Sequence, residues 1–232
     1  MQYNSWLYLF PFLGGSLILY YLLPVKRRWI GLLFSSLLFY ILTMKSLVVV
    51  VLFTTAAIYL GARVIEQFNE TFKLKKKELN RAARKELKNK TTTKIRYVIA
   101  FLCFINFGIL FVTKYFNFFG ENINALFNAL HIPAQIPFLN IFLPLGISFY
   151  TLSAISYVTD VARGVCKVER NYLRLLLFLI FFPVITEGPI SRYGQLGEEL
   201  KAEHRFDYKQ FCFGAQLITW GLFSKKYFFL TA

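Results

Sequence analysis

Seven long apolar segments divide the chain, and polar stretches separate them. Several reach the roughly 20 residues that a helix needs to cross the hydrocarbon of a bilayer. The apolar and polar positions do not alternate as in the strands of a membrane barrel. We therefore predict an all-α, polytopic integral membrane protein with about six to seven transmembrane or re-entrant helices. The predicted segments are residues 6–23, 29–43, 46–64, 95–116, 138–158, 172–186 and 211–230, of which the second and sixth are short for a full crossing.

Composition agrees with this class. Hydrophobic residues make up 56% of the 232 residues and aromatic residues 19%, and the mean hydropathy is +0.49. These values exceed the apolar share of an ordinary soluble domain. No basic region precedes the first segment and no small-residue cleavage site follows it, so we expect it to remain in the mature protein rather than to be removed as a signal peptide.

The basic residues predict an orientation. Residues 26–28 are Lys-Arg-Arg, and residues 73–96 hold eleven Lys or Arg against two Glu. If successive helices alternate in direction, both clusters and the basic positions of residues 163–174 lie on one side, which the positive-inside rule assigns to the cytoplasm. Residues 123–135 and the N-terminus are then extracytoplasmic, in a multi-pass protein of the cell membrane. The net charge of +15 is thus a property of the cytoplasmic face, and it predicts no nucleic-acid partner.

The basic cytoplasmic loop predicted at residues 66–95 has two interpretations. It could dock an acidic donor, such as a carrier protein or the phosphates of a coenzyme. Alternatively, it sets the orientation and touches anionic lipid, as such loops commonly do. The thin apolar stripe of this segment favours the second interpretation, because it is typical of a surface-lying helix.

A candidate site lies in residues 181–193, which read FFPVITEGPISRY. Charge and helix breakers at membrane depth are tolerated where they face protein or a water-filled cavity. We therefore predict a tunnel-lining or supporting role in which Pro183, Gly188 and Pro189 shape the break. Glu187 and Arg192 are a candidate ion pair across it. Alternatively, Arg192 snorkels to the interface and Glu187 caps a short helix.

Cysteine and histidine are scarce. The three cysteines are an odd count and suggest neither a disulfide framework nor a metal set. We interpret His131 and His204 as exposed loop residues. No Ser-His-Asp or Cys-His constellation and no Gly-rich phosphate loop is visible, so no catalytic residue and no metal ligand is predicted within the chain.

Four motifs resemble those of the membrane-bound O-acyltransferases. They are residues 143–151 (LPLGISFYT), 155–164 (ISYVTDVARG), 181–183 (FFP) and 188–193 (GPISRY). Within that family they look most like the bacterial branch of alginate O-acetyltransferase and D-alanyl-teichoic acid transferase type. The resemblance extends over nearly the whole chain, and it covers the first half of the family's usual length.

The resemblance implies that residues 1–232 are the N-terminal portion of one membrane-embedded acyltransferase domain. Such enzymes move an acyl group from a cytoplasmic thioester, acetyl-CoA or an acyl carrier protein, to a hydroxyl of an extracytoplasmic polymer. A histidine beyond the matched region is expected to act as base, and neither His131 nor His204 corresponds to it. By this resemblance the chain is a truncated or split product that is inactive on its own. The implied partners are the lipid bilayer, a donor carrier protein and extracytoplasmic accessory acyltransferases.

The alternative from another class is a non-enzymatic membrane scaffold or one half of a split transporter. A transporter is expected to show a second, related set of broken helices or a charged pathway at the midplane. The sequence contains no internal repeat of that kind, which makes this alternative weaker.

Overall fold

The computed structural model describes residues 8–44, 48–76, 80–132, 134–138, 146–185, 188 and 191–228. The regular structure of these residues is helical, and no β-strand occurs among them, which confirms the all-α prediction. Short π-helical turns lie at Tyr8–Leu13 and Tyr193–Gly197, and a 3-10 turn lies at Val25–Arg27. The α-helices are α1 (Gly14–Leu22), α2 (Arg28–Met44), α3 (Val48–Lys75), α4 (Arg81–Ala129), α5 (Ile147–Arg163), α6 (Tyr172–Ile180) and α7 (Tyr208–Phe228).

Local sequence explains where α5 and α6 end or begin. Gly164 follows α5 with φ +73°, a left-handed conformation that glycine adopts without a Cβ penalty. The N–H of Val165 then donates to the carbonyl of Asp160 at 2.8 Å and satisfies the helix end. Asn171 caps α6, because its side-chain oxygen accepts from the N–H of Leu173 at 2.9 Å.

The basic segment between the third and fourth predicted apolar segments is helical at residues 66–75 and 81–95. Helix α3 continues to Lys75, and α4 begins at Arg81 and runs without interruption to Ala129. The helix has a local reason here, since the segment from Arg81 to Ile95 contains neither proline nor glycine and Glu86 pairs with Lys90 one turn away at 2.6 Å. Residues 123–135, which are predicted to be extracytoplasmic, are helical as far as Ala129.

Helices α3 and α4 pack against each other. A Cβ placed on Gly61 would lie 2.4 Å from Cδ1 of Leu102, so the two helices approach closely at this level. Farther along, Nζ of Lys94 lies 5.9 Å from the ring centroid of Phe68. The two helices therefore form a hairpin whose apolar ends lie together and whose basic ends lie together.

Within the described residues, α3 and α4 are the two helices long and apolar enough to cross a membrane. At about 1.5 Å per residue the 49 residues of α4 span about 73 Å, more than the roughly 30 Å of a hydrocarbon core.

The sixth predicted segment, residues 172–186, is longer than the helix observed there. Helix α6 stops at Ile180, because the chain approaches Pro183 and a helix ends before a proline. In the fifth, the helix begins at Ile147, and residues 139–145 lie outside the described residues.

By internal contacts the chain divides into two compact units, residues 1–35 with 201–232 and residues 36–200. In the first unit the Arg28 guanidinium lies over the rings of Tyr20 and Tyr21 at 5.3 and 5.1 Å and donates to the carbonyl of His204. The core of the second unit forms where α5 and α6 pack on α3. Its buried apolar members from α5 and α6 are Ile147, Tyr150, Ala154, Tyr157, Val158, Val161, Leu175, Leu176, Leu177, Phe178, Leu179 and Ile180.

Candidate functional site

The chain turns sharply after α6. The N–H groups of Val184 and Ile185 both donate to the carbonyl of Phe181, at 3.0 and 3.1 Å. The N–H of Gly188 donates to the carbonyl of Val184 at 3.0 Å, and a Cβ on Gly188 would lie 2.6 Å from that carbonyl oxygen. Glycine is therefore required at this tight approach. We call residues 181–193 the break segment.

The break segment packs directly on the first turn of α5. Gly146 precedes α5 with φ +69°, and a Cβ there would lie 1.9 Å from the carbonyl oxygen of Ile185. No side chain fits at that separation, so the contact depends on glycine both for the left-handed φ and for the space. Gly146 thereby fixes the position of the break segment against α5.

The far end of the break segment is held by a buried carboxylate. The hydroxyl of Tyr193 donates to Oε2 of Glu169 at 2.5 Å, and the N–H of Asn171 donates to Oε1 of the same carboxylate at 2.9 Å. The backbone N–H of Glu169 donates to the hydroxyl of Tyr157 at 2.9 Å. Since Glu169 is 7% exposed, the donors of Tyr193 and Asn171 replace water around a carboxylate that would otherwise be costly to bury.

Aromatic rings surround this carboxylate. The ring centroids of Tyr157 and Tyr193 are 4.8 Å apart, and Phe178 meets Tyr193 edge-on at 5.0 Å. Tyr157 and Tyr193 are 0% and 1% exposed. We call Tyr157, Glu169 and Tyr193 the tyrosine–glutamate cluster, and it joins α5, the turn before α6 and the end of the break segment.

A second polar contact joins α5 to α3. The hydroxyl of Tyr150 lies 2.7 Å from Oγ1 of Thr54 and 3.1 Å from Oγ1 of Thr55. Tyr150 also lines a small cavity of about 10 Å³ beside the break segment, with room for about one water molecule. The cavity is lined by Phe149, Tyr150, Ser153, Phe178, Leu179, Phe181, Val184, Ile185, Ser191 and Leu196.

Only some of the predicted site residues lie in the described part of the break segment. Pro183 and Gly188 lie in the turn, with Pro183 exposed. Arg192 is exposed at the end of the break segment, and it does not line the cavity. Glu187 and Pro189 lie outside the described residues, so the Glu187–Arg192 pair stays a prediction.

Neither histidine belongs to the break segment or to the tyrosine–glutamate cluster. His131 follows α4 with φ +55° and is exposed. The side chain of His204 is exposed, and its backbone carbonyl accepts from Arg28. Within the described part of the chain, no group of three or more His, Cys, Asp or Glu residues is arranged to hold a metal ion.

Sequence reasoning missed the tyrosine–glutamate cluster. Glu169 stands in a basic stretch, VCKVERNY at residues 165–172, where a carboxylate is easily taken for a surface charge. Tyr193 directly follows the charged Arg192, a position that does not by itself indicate a buried side chain. A lone acid among bases beside a helix cap was the signal that could have indicated a structural carboxylate.

Comparison with known proteins identifies relatives. Over 202 residues, 86% of this chain and 34% of the relative, the sequence is 30% identical to the probable alginate O-acetylase AlgI of Pseudomonas aeruginosa. Over 134 residues, 56% of this chain and 24% of the relative, it is 34% identical to the probable alginate O-acetylase AlgI of Pseudomonas syringae pv. tomato. The teichoic acid D-alanyltransferase of Bacillus subtilis is 37% identical over 65 residues, 28% of this chain and 16% of the relative.

The chain therefore spans at most about a third of the length of these curated relatives. It matches no protein-family model, and no solved structure matches it. The relatives share the branch that the sequence motifs resemble, which confirms the resemblance. The chain is accordingly homologous to bacterial enzymes of the membrane-bound O-acyltransferase family.

Proposed function

We propose that this chain forms part of a membrane enzyme that transfers an acetyl or D-alanyl group to hydroxyls of an extracytoplasmic polysaccharide or cell-wall polymer. The observation that carries the proposal is the 202-residue similarity to the P. aeruginosa alginate O-acetylase. Relatives named for alginate O-acetylation and teichoic acid D-alanylation support an acyltransferase acting on this class of polymer.

The proposed donor is a thioester, carried by a coenzyme or by an acyl carrier protein on the cytoplasmic side. The acceptor hydroxyl oxygen forms a bond to the acyl carbon, the carbon–sulfur bond breaks, and the hydroxyl proton passes through a base to the departing thiolate. A neutral hydroxyl is a weak nucleophile, so a positioned base is needed. We assign no base among the described residues, and we propose that this chain contributes the walls and supports of the reaction site.

The proposed support is the break segment. Close contact at Gly146 fixes one end of it, and the tyrosine–glutamate cluster holds the other end. These two contacts support the proposal, because irregular backbone at membrane depth is tolerated only where it is buried in protein or lines a water-filled cavity. We propose that the exposed Arg192 then faces the acyl donor or the acceptor, with extracytoplasmic accessory acyltransferases as partners of the complete enzyme.

A chimaera tests the proposed function. The aligned segment of the P. aeruginosa enzyme is replaced by this chain, and O-acetyl groups on alginate are measured in cells lacking the native enzyme. We expect acetylation above that of the empty vector. A chimaera that inserts in the membrane at the normal level and gives no acetylation would contradict the proposal.

Arg192 offers a sharper test in the same chimaera. Because its side chain is exposed, Arg192→Ala should leave the thermal unfolding temperature unchanged while lowering acetyl transfer about tenfold, equivalent to the loss of about 1.4 kcal/mol of transition-state stabilisation. Arg205→Ala, another exposed arginine, is the control and should keep its activity. Equal acetyl transfer by the two variants would show that Arg192 does not contribute to the reaction site. If Arg192→Ala fails to fold, Arg192 has a structural role instead.

The proposed topology has α4 crossing the membrane with its basic end in the cytoplasm and the N-terminus of the chain outside. Lys85 and Asn128 lie near opposite ends of this one helix, and both are exposed. We expect a cysteine at Lys85 to react with an impermeant maleimide only from the cytoplasmic side, and one at Asn128 only from outside. Reaction of both from the same side would contradict the topology.

A further inference from the structure

Four cations lie on one face at the start of α4. Arg81, Arg84, Lys85 and Lys88 follow the i, i+3, i+4, i+7 spacing, which places them within about 100° of the helix circumference. All four are exposed. We call them the basic stripe, and it extends about 10 Å along the helix at 1.5 Å per residue.

No ion pair compensates the basic stripe within the described part of the chain. The nearest acid in sequence among the described residues, Glu86, points to the other side of the helix, where it pairs with Lys90 at 2.6 Å. The hydrogen bond and the charge of Lys90 hold the pKa of the Glu86 carboxyl below its ordinary value. Glu86 is thus already paired with Lys90, and it does not neutralise a cation of the basic stripe.

This arrangement is unfavourable for the isolated helix. Like charges three and four residues apart repel each other, and the stripe contains four such pairs. Arg81 and Arg84 also stand in the first turn of α4, where the helix macrodipole favours acids, and that turn holds no acid. Orientation in the membrane depends on the number of basic residues and not on their face, so it does not account for the stripe. A partner that brings negative charge would relieve both penalties.

The length and continuity of α4 indicate which partner fits. The apolar run begins at Ile95, and the helix is continuous between the two regions, so the stripe lies about 10 to 20 Å beyond that run at 1.5 Å per residue. Polar headgroups add only about 5 to 8 Å on each side of the hydrocarbon, and the Debye length is about 8 Å at physiological salt. Lys94 and Arg96 are therefore the cations placed for lipid headgroups, whereas the stripe projects beyond them.

The stripe is also convex and exposed, unlike the concave sites that enclose small ligands. Several carboxylates spread over a facing surface match it better than one coenzyme phosphate. We propose that Arg81, Arg84, Lys85 and Lys88 form a docking surface for an acidic soluble protein at the basic end of α4. This surface goes beyond the proposed acyl transfer and does not depend on it.

The test uses the full chain in phosphatidylcholine nanodiscs and a fluorescein-labelled poly-L-glutamate peptide as the acidic probe. Binding is followed by fluorescence anisotropy at low salt. Arg84→Gln with Lys85→Gln removes two stripe charges and should weaken binding about tenfold, since each close charge pair at a partly exposed interface contributes up to about 1 kcal/mol. Binding by the unsubstituted chain should also fall steeply as salt is added.

The matched control is Lys90→Gln with Lys94→Gln, which removes two charges from the other face. Each double variant removes two positive charges, so the net charge falls by the same amount in both. We expect at most a twofold loss of binding in this control. Equal losses in both variants would show that only net charge matters and would overturn the proposal.

A second arm distinguishes lipid from protein. The same two variants are compared in nanodiscs containing about one-third phosphatidylglycerol, an anionic lipid that competes for cations within reach of headgroups. If the stripe projects into solvent, the stripe variant stays weaker than the control. If phosphatidylglycerol abolishes the difference, the stripe binds headgroups and the proposal is wrong. Thermal unfolding of both variants, expected to match the unsubstituted chain, confirms that exposed changes left the fold intact.

Discussion

Replacing Gly146 with alanine is expected to destabilise the second unit by about 3 kcal/mol, because two penalties add at this position. The new Cβ would lie 1.9 Å from the carbonyl oxygen of Ile185, and relieving such an overlap by backbone movement costs about 1 to 3 kcal/mol. The left-handed backbone, with φ +69°, adds about 1 kcal/mol for a residue with a side chain. Unfolding in mixed micelles, followed by circular dichroism as denaturing detergent is titrated, measures the loss.

Gly164 provides a matched control at the other end of the same helix. Its φ is +73°, nearly the same, but a Cβ there would have nothing within 4 Å. Gly164→Ala should therefore cost only the conformational part, about 1 kcal/mol. The difference between the two variants isolates the contact with the break segment. Equal costs would mean that the close approach to Ile185 contributes nothing to stability.

The apolar pattern predicted helices because hydrophobic run length and the lack of alternation are local properties of the sequence. It placed α2 and α7 within a few residues of their observed ends. It did not give the bounds of α4, because the predicted apolar segment begins at residue 95 whereas the helix begins at Arg81. Polar residues exclude a segment from the hydrocarbon but do not prevent a helix, and Lys, Arg, Glu, Ala and Leu are good helix formers.

The break at Pro183 and Gly188 could be predicted because both residue types act on the backbone itself. The residue against which the break segment packs, Gly146, could not be predicted. Gly146 and Ile185 are 39 positions apart, and the need for glycine at Gly146 arises only when the backbones meet. The same holds for Glu169 and Tyr193, whose hydrogen bond depends on where two separate turns are packed. Sequence patterns carry information on local conformation, and tertiary contacts between distant turns leave no periodic signal.

Removing the hydroxyl of Tyr193 is expected to destabilise the protein by about 1 to 3 kcal/mol. Tyr193→Phe keeps the ring against Tyr157 and Phe178 but withdraws the donor that lies 2.5 Å from Oε2 of Glu169. A buried carboxylate that loses a donor retains its desolvation penalty without the compensating bond. Unfolding by detergent titration should detect the loss.

Tyr172→Phe serves as the control, since the hydroxyl of Tyr172 donates at 3.0 Å to a neutral backbone acceptor, the carbonyl of Leu52. This exposed bond to a neutral group should be worth about 0.5 to 1 kcal/mol. Tyr193→Phe should therefore cost clearly more than Tyr172→Phe. Similar losses in the two variants would mean that the Glu169 carboxylate does not depend on Tyr193.

A double-mutant cycle decides whether the charge of Glu169 is the cause. In a Glu169→Gln background the group left without the Tyr193 hydroxyl is neutral, so the added cost of Tyr193→Phe should fall by about 1 kcal/mol or more. The aromatic packing is the same in both backgrounds and cancels from the comparison. If the cost is unchanged by Glu169→Gln, the tyrosine stabilises the break segment through its ring contacts alone, and the carboxylate is not what holds the end of that segment in place.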